Sequence, residues 1–404
     1  MRILMACAAF PPFMDGGGPI SSMMIAKTLI AAGHDVLVVN VAGEDKHEVY
    51  EGVPVHRLPS LNIDWNYRLP RPAWKKLAWH AIENFNPRAF FAMRREIRAF
   101  RPDVVFTVSI ENINVATWAA AKSLDVPTAH MLFSTFLICW KGSMRRGDHN
   151  CRTACASCRA ASPGKKLLTR YVDLVMGETD FIIDCHLSEG YFPKAFRRTV
   201  PGIIPSVAAP VAKESVENRP IRFGFIGLHD KVKGLDTLAA AAHRLAGNKN
   251  VTFLIAGTGN SDYARDVHKS FPASNTRFLG WSKPDAFFPQ IDVSIVPSLF
   301  NEPFGRVVVE AFSHGVPVIG ARSGGIPQSI REGVDGFVFP AGDDAALAEL
   351  IQAIANHPQR LPEMSQAALA SAHRYVPDRI AALFDEAFDE LLAKRPSKAT
   401  RKAA

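Results

Sequence analysis

Residues 292–330 read DVSIVPSLFNEPFGRVVVEAFSHGVPVIGARSGGIPQSI. An apolar run over 291–297 stops at Ser298. The chain then passes through Glu302-Pro303-Phe304-Gly305-Arg306 into a helical pattern over 306–314, and a second apolar run covers 316–320. Short Val/Ile-rich runs on either side of a helical stretch are the pattern of buried parallel strands joined by a crossover helix. In such open sheets ligands sit beyond the carboxyl ends of the strands, which is where this loop falls. Gly305 permits close approach of the backbone, and the helix behind it begins with N–H groups suited to a diphosphate. Glu302 and Glu310 are acceptor-only carboxylates, suited to the hydroxyls of a ribose or a hexose. Ser323-Gly324-Gly325-Ile326-Pro327 forms a second close-approach loop after the next strand.

The alternation extends outward in both directions. In the first third, apolar strands are expected at 2–10, 35–42, 103–108 and 127–132, with helices at 20–32 and 115–123. The polar, Pro-containing stretch 205–220 (PSVAAPVAKESVENRP) interrupts the pattern and reads as a linker. Strand, glycine-bearing loop and helix then restart at 221, with further strands at 251–256, 291–297 and 316–320. A chain of 404 residues exceeds one ordinary core. The expected fold is α/β: two Rossmann-like doubly wound domains, 1–205 and 215–370, facing each other across a cleft. A helix over 375–393, with Ile380, Leu383, Phe384, Phe388 and Leu391 on one face, is expected to pack back on the first domain. The basic tail 394–404 is expected to be disordered.

Apolar residues make up 48% of the chain and charged ones 21%, with no run approaching the 18 apolar residues of a membrane span. The opening MRILMACAAF runs into Pro11-Pro12 and a glycine cluster, reading as a buried strand rather than a signal peptide and placing the protein in the cytoplasm. The net charge of +8 is concentrated: 65–101 holds nine Lys/Arg against two Glu, among Trp65, Tyr67, Trp74, Trp79, Phe85, Phe90, Phe91 and Phe100. Cations among exposed rings suit an anionic membrane surface, as on an inner leaflet, while rings in a core with solvated cations are the alternative. No recognition motif accompanies the charge, so nucleic acid is not an expected partner. The absence of Asp-x-Asp in a suitable loop leaves no expected divalent cofactor for catalysis.

The stretch 302–330 resembles the glutamate-x7-glutamate region of retaining glycosyltransferases of family 4, which have the GT-B fold. The resemblance continues upstream through FLIAGTG (253–259, with Gly257 and Gly259), FIGLHDKVKG (225–234, with Gly227) and FPPFMDGGGP (10–19). It implies transfer of a sugar from a nucleotide-sugar donor to a lipid-linked or polysaccharide acceptor, with retention at the anomeric carbon. By residue, it implies that Glu310 holds the ribose and that Pro303, Phe304, Gly305 and Arg306 bring the loop onto the donor. Glu302 would contact the transferred sugar, Lys233 would neutralise the leaving diphosphate, and Gly17 and Gly18 would shape the donor-binding floor where acceptor and diphosphate meet. A Lys and a helix N-terminus then take the place of a metal ion.

Two positions depart from that pattern. Leu228 follows Gly227 where the family carries an Arg, with His229 or Lys231 as substitutes in the same loop. The His-Asp pair of the acceptor side falls on Phe133-Ser134, leaving His130, three residues earlier, as a catalytic candidate or a core histidine. Those departures favour a second function, a catalytically silent nucleotide-sugar-binding protein; a sugar-nucleotide epimerase of the same fold is a third.

Four of six cysteines, Cys139, Cys151, Cys155 and Cys158, fall in one basic loop. A structural zinc, free thiols and a disulfide are all open, the disulfide being disfavoured in a reducing compartment. His149 is an alternative ligand. The C-x3-C-x2-C run of 151–158 also matches radical S-adenosylmethionine enzymes, but its place after several strand–helix units argues against that chemistry.

Overall fold

The apolar runs become the inner strands of two sheets, each buried by helices on both faces. The structure, a computed structural model, describes residues 1–12, 17–64, 72–208, 216 and 219–394. The chain divides into two units: Met1–Ile203 with the chain from Asp378 onward, and Ile204–Pro377.

The first unit contains β1 (Arg2–Cys7), β2 (Asp35–Val41), β3 (Lys46–Tyr50), β4 (Val53–Leu58), β5 (Val104–Val108) and β6 (Thr128–Leu132). A two-stranded ribbon, β7 (Arg145–Arg146) and β8 (His149–Asn150), precedes β9 (Leu174–Gly177) and β10 (Phe196–Thr199). The main sheet runs β10-β9-β6-β5-β1-β2-β4-β3 and is parallel except for the β3–β4 hairpin. Strands β5, β6 and β9 are buried along their whole length, which is why they read as continuous apolar runs. One face carries helices Pro87–Phe100 and Ala116–Ser123, the other Gly17–Ala31 and Pro377–Ala393. Phe384 and Phe388 of the last helix set their rings 5.7 and 5.4 Å from that of Phe106 on β5. Each such ring contributes roughly 1.5–3 kcal/mol by leaving water, so the C-terminal helix is part of the first unit's core.

The second unit holds β11 (Ile221–Ile226), β12 (Val251–Ala256), β13 (Thr276–Gly280), β14 (Val293–Val296), β15 (Val318–Arg322) and β16 (Gly336–Pro340). They lie in the order β13-β12-β11-β14-β15-β16, all parallel. Helices Leu235–Arg244 and Asp344–Asn356 cover one face, Arg306–Ser313 and Leu361–Ala372 the other. The strand order reverses between β11 and β14, and in the first unit between β1 and β5, the points at which doubly wound sheets open a crevice.

Part of the expected linker belongs to the second unit: Ala208 N–H donates to Ser313 O at 2.8 Å, and just before the stretch Ile204 N–H donates to Tyr375 O at 3.0 Å. Residues 209–215, 217 and 218 of that stretch, and 395–404 of the expected disordered tail, lie outside the described residues. Among the described residues, no helix is long and apolar enough to cross a membrane.

Candidate functional site

The loops after β11 and β14, on either side of the strand reversal, are bonded to each other. Leu299 and Phe300 N–H both donate to Val232 O, at 2.9 and 3.1 Å, and the Ser298 hydroxyl reaches the same carbonyl at 3.3 Å. The Asp230 carboxylate accepts from Val232 N–H at 3.0 Å and starts the short turn Lys231–Lys233. This brings Lys233 Nζ to 2.6 Å from Glu302 Oε1, which also accepts from the Ser298 hydroxyl at 3.0 Å. The two side chains are 32% and 17% exposed, so the pair is reachable from solvent and not sealed in a core. Ser298 was missed by sequence reading; its only local signal is a hydroxyl at a strand end.

The backbone of Glu302 is held from the other side by the loop after β15. Gly325 N–H donates to Glu302 O at 2.7 Å, and Gly324, at φ +58°, would put a Cβ 2.2 Å from that same oxygen. Gly305 stands at the N-cap of helix Arg306–Ser313 with left-handed φ and makes no side-chain capping hydrogen bond to its N–H groups. Phe304 turns its ring inward against Tyr375, 5.9 Å between centroids, and offers the site only its backbone; Pro303 is half-buried beside it. One turn into the helix, Arg306 reaches Glu310 at 3.2 Å, with both side chains about a quarter exposed. Thus Lys233, Glu302, Pro303, Gly305, Arg306 and Glu310 gather around one loop system in the second unit.

Three more glycines of the expected donor set, Gly227, Gly257 and Gly259, lie where two loops meet closely. A Cβ on Gly257, at φ +124°, would lie 1.8 Å from Gly227 O, and one on Gly259 would lie 2.7 Å from His229 O. Gly227 itself donates to Ala256 O at 3.2 Å. These residues press the loop after β12 onto the loop after β11. The two residues named as substitutes at Leu228 differ in burial. His229 is buried between Phe225 and Phe278, its pKa lowered by burial, whereas Lys231 is exposed. Leu228 itself is 57% exposed.

In the first unit, His130 does not meet its expectation as a catalytic group. It lies inside β6, 2% exposed, with Nδ1 2.8 Å from the Thr107 hydroxyl and its ring against Trp118 and Phe192. Burial lowers its pKa to about 3, so the ring is a neutral core member. Where the family pattern places its pair, Phe133 packs on the core and the Ser134 hydroxyl donates to Glu111 Oε1 at 2.8 Å. Glu111 follows β5 at the reversal point, in a loop holding two non-glycine left-handed residues, Ser109 and Asn114. Burial raises its pKa, and its Oε2 has no partner among the described residues. A carboxyl whose pKa is raised by burial and which carries an unpartnered oxygen is a candidate acid–base group that sequence reading missed. The loop after β1 is anchored beside it by Ala8 N–H to Ser109 O at 2.7 Å. Gly17 begins helix Gly17–Ala31, and a Cβ on Gly18 would meet nothing within 4 Å among the described residues.

The cysteine segment follows β6. Cys139 and Cys158 are buried, Cys151 and Cys155 half-buried, and none is in a disulfide. His149 lies exposed on β8. Among the described residues, the one His/Cys/Asp/Glu group whose ligand atoms all lie within 4.8 Å of each other is elsewhere, Asp45, His47 and His56. There His56 is already paired on both nitrogens, to Asp45 at 2.8 Å and Glu96 at 2.7 Å.

Of the basic-aromatic stretch, 65–71 lies outside the described residues. Trp79 is buried and donates to Glu83 at 2.7 Å, whereas Trp74, Leu77, Phe85 and Phe91 are exposed at 47–74%. The rings are therefore split between core and surface.

Residues 16–184 match the glycosyl transferase 4-like domain and residues 220–357 the glycosyl transferases group 1. An uncharacterized 42.6 kDa protein in a cps region of Klebsiella pneumoniae is 30% identical over 334 residues, 82% of this chain and 88% of that protein. Among solved structures, sucrose-phosphate synthase from Thermosynechococcus elongatus aligns with a TM-score of 0.72 at 18% identity, covering 98% of this chain and 100% of that one. HepE of Anabaena, in complex with UDP, aligns at 0.69 and 18% identity over 96% and 100% of the two chains. The structural likeness is one of fold, two Rossmann-like domains in the GT-B architecture. The sheet orders, the loop system over the β11–β14 reversal and the matched regions agree: the chain belongs to the group 1 glycosyltransferases.

Proposed function

We propose that the protein is a retaining glycosyltransferase of family 4 that uses a nucleoside diphosphate sugar as donor. The observation that carries this is the Lys233–Glu302 pair beside the uncapped start of helix Arg306–Ser313. The bond between the anomeric carbon and the diphosphate breaks, an acceptor oxygen bonds to the same face, and the acceptor's proton passes to an oxygen of the departing nucleoside diphosphate. Negative charge gathers on the leaving group, where the Lys233 ammonium and the helix N–H groups oppose it without need of a metal ion. Glu302, released from Lys233 by the phosphates, accepts from sugar hydroxyls, and Glu310 accepts from the ribose. On the acceptor side the Ser134–Glu111 pair takes the place that His130 does not fill.

The acceptor in this reading is a saccharide or a lipid-linked saccharide, in keeping with a relative described as belonging to a cps region. Exposed Trp74, Leu77, Phe85 and Phe91 alternate with exposed Lys76, Arg88, Arg95 and Arg98, which suits a cytoplasmic protein resting on an anionic leaflet. Sedimentation with anionic but not neutral vesicles, reduced in Trp74→Ala/Phe91→Ala, is expected; equal sedimentation of the variant would remove the membrane from the proposal.

Donor binding tests the proposal. Calorimetry with UDP-, GDP-, ADP- and dTDP-sugars, with nucleoside diphosphate release followed in parallel, is expected to show saturable binding of one donor class. Binding should weaken about tenfold or more in Glu310→Ala, which removes a charged acceptor. Failure to bind any donor would overturn the proposal. Exposed Leu228, standing where a cation is expected, favours the second reading: binding without release over a panel of acceptors would make the protein a silent nucleotide-sugar binder.

A further inference from the structure

The edge hairpin of the first unit sets a polar cluster against an otherwise apolar layer. In the β3–β4 ladder His47 lies directly opposite His56, and Asp45 comes two residues before His47, so the three side chains share one face of the sheet. Helix Pro87–Phe100 covers that face: its Met93 and Ile97 pack in one cluster with Leu58, two residues after His56 on β4. His56 is 3% exposed, and Glu96, from the same helix, 5%. Asp45 and His47 are exposed. The cluster thus has a buried inner end and an outer end open to solvent.

The inner end fixes the histidine. Glu96 Oε2 lies 2.7 Å from His56 Nδ1, and Arg95 Nε donates to Glu96 Oε1 at 3.0 Å, which holds the carboxylate in place. A carboxylate only accepts, so Nδ1 carries a hydrogen and Nε2 is the nitrogen left for a ligand. Nε2 faces Asp45 Oδ1 at 2.8 Å. Two lone pairs at that distance require a positive centre between them, a proton or a metal ion. A proton serves this pair alone. His47, however, stands over His56, with ring centroids 3.6 Å apart and planes 19° from parallel. One ligand atom from each of Asp45, His47 and His56 lies within 4.8 Å of the other two. Ligand atoms bonded tetrahedrally to one ion at about 2.0–2.2 Å sit roughly 3.5 Å apart. Small side-chain turns, chiefly of exposed His47, therefore suffice to converge the three. A carboxylate on the far nitrogen of a histidine is also what fixes the tautomer and raises the basicity of a metal-bound imidazole.

We infer that Asp45, His47 and His56 bind one divalent cation of the zinc class, with Glu96 as the positioning residue that orients His56. Two imidazoles and a carboxylate suit such an ion. The ion takes the place of the proton between His56 and Asp45, which passes to solvent. The carboxylates of Asp45 and Glu96 balance its two charges, and three protein ligands leave a position for water. β3 is the last strand of its sheet, so the bound ion ties this edge strand to β4 and, through Glu96, to helix Pro87–Phe100. None of these residues belongs to the loops proposed to hold the donor.

Calorimetric titration of chelator-treated full-length protein with zinc chloride tests this. A saturable site for about one ion per chain is expected, absent in His47→Ala and in Asp45→Asn, both at exposed positions. Zinc should raise the thermal midpoint of the wild type and not that of His47→Ala. Glu96→Gln should keep the site and weaken it about 10–100-fold. Cobalt(II) separates this site from the cysteine segment, because nitrogen and oxygen ligands give visible bands without thiolate-to-metal charge transfer. Those bands should vanish in His47→Ala. Far-UV circular dichroism of the variants distinguishes lost binding from lost folding. No saturable zinc binding overturns the proposal, as does binding unchanged in either His47→Ala or Asp45→Asn. Cobalt held solely with thiolate charge transfer overturns it too, placing the metal on the cysteines. Undiminished affinity in Glu96→Gln would overturn the positioning role. No readout here depends on glycosyl transfer.

Discussion

Lys233 Nζ stands 2.6 Å from Glu302 Oε1 although 69 residues separate them in the chain. The contact exists because β11 and β14 are hydrogen-bonded neighbours, and each ends in a loop that turns over the same edge. In the proposed mechanism this partly exposed ammonium and carboxylate part when a phosphate and a sugar arrive between them.

Lys233→Ala is expected to lower kcat by about 100-fold or more while the donor Kd changes only several-fold, because the lost charge matters most as the diphosphate departs. The ion pair is exposed enough to be worth about 1 kcal/mol or less to folding, so thermal unfolding should shift by only a few degrees. An equal loss in binding and turnover would assign Lys233 to ground-state binding instead.

Leu228→Arg restores a forked cation on the rim where an apolar side chain now lies 57% exposed. Charge-assisted hydrogen bonds of this kind contribute about 1.5–3 kcal/mol, so kcat is expected to rise about tenfold or more. Steady-state release of nucleoside diphosphate reads this directly. An unchanged or lower rate would show that this site stabilises its leaving group without a second cation.

Gly324→Ala tests the loop that holds Glu302. A Cβ there meets Glu302 O at 2.2 Å and Glu302 N at 2.5 Å, in a left-handed conformation. A cost of roughly 2 kcal/mol or more in denaturant unfolding is expected, together with weakened donor binding as Glu302 is displaced. Gly333→Ala, also left-handed but with open space around the added Cβ, should cost only the backbone strain. If the two variants unfolded alike, the close approach to Glu302 would not be what demands glycine at 324.

Acid should destabilise the first unit through its buried histidines. Burial lowers the pKa of His130 to about 3 and that of His186 to about 4, whereas both titrate near 6.5 when unfolded. The unfolded chain therefore binds more protons between those limits. The stability of the neutral rings is fully present above about pH 6.5 and is lost as pH falls toward 3, at about 1.4 kcal/mol per pH unit for each ring while it titrates. Urea unfolding from pH 7 to 4 should show this slope, reduced in His130→Gln. A slope identical in the variant would place the acid sensitivity elsewhere.

Much of the fold is legible in the sequence because parallel strands covered on both faces must be apolar throughout. Expected strands at 35–42, 127–132 and 251–256 correspond to β2, β6 and β12, and the helix expected over 306–314 to Arg306–Ser313. The β3–β4 hairpin escaped notice because KHEVY alternates weakly at an exposed edge, and its turn depends on left-handed Glu51 and Gly52. Strands β9 and β10 were missed for a similar reason: four residues carry too little pattern to stand out from their surroundings.

The local chemistry of residues 302–330 follows from sequence alone, because acceptor carboxylates, a close-approach glycine and a helix start are all encoded within a few residues of each other. What a side chain faces is decided by packing between distant segments, and that only the tertiary structure settles. It made His130 a core ring wedged against Trp118 and Phe192, and set Gly257 and Gly259 in close contact with the loop after β11. It likewise brought Ser134 to Glu111 across 23 residues. Burial, which fixes both the protonation of a group and its access to a ligand, is a property of the assembled sheet and not of any short stretch of chain.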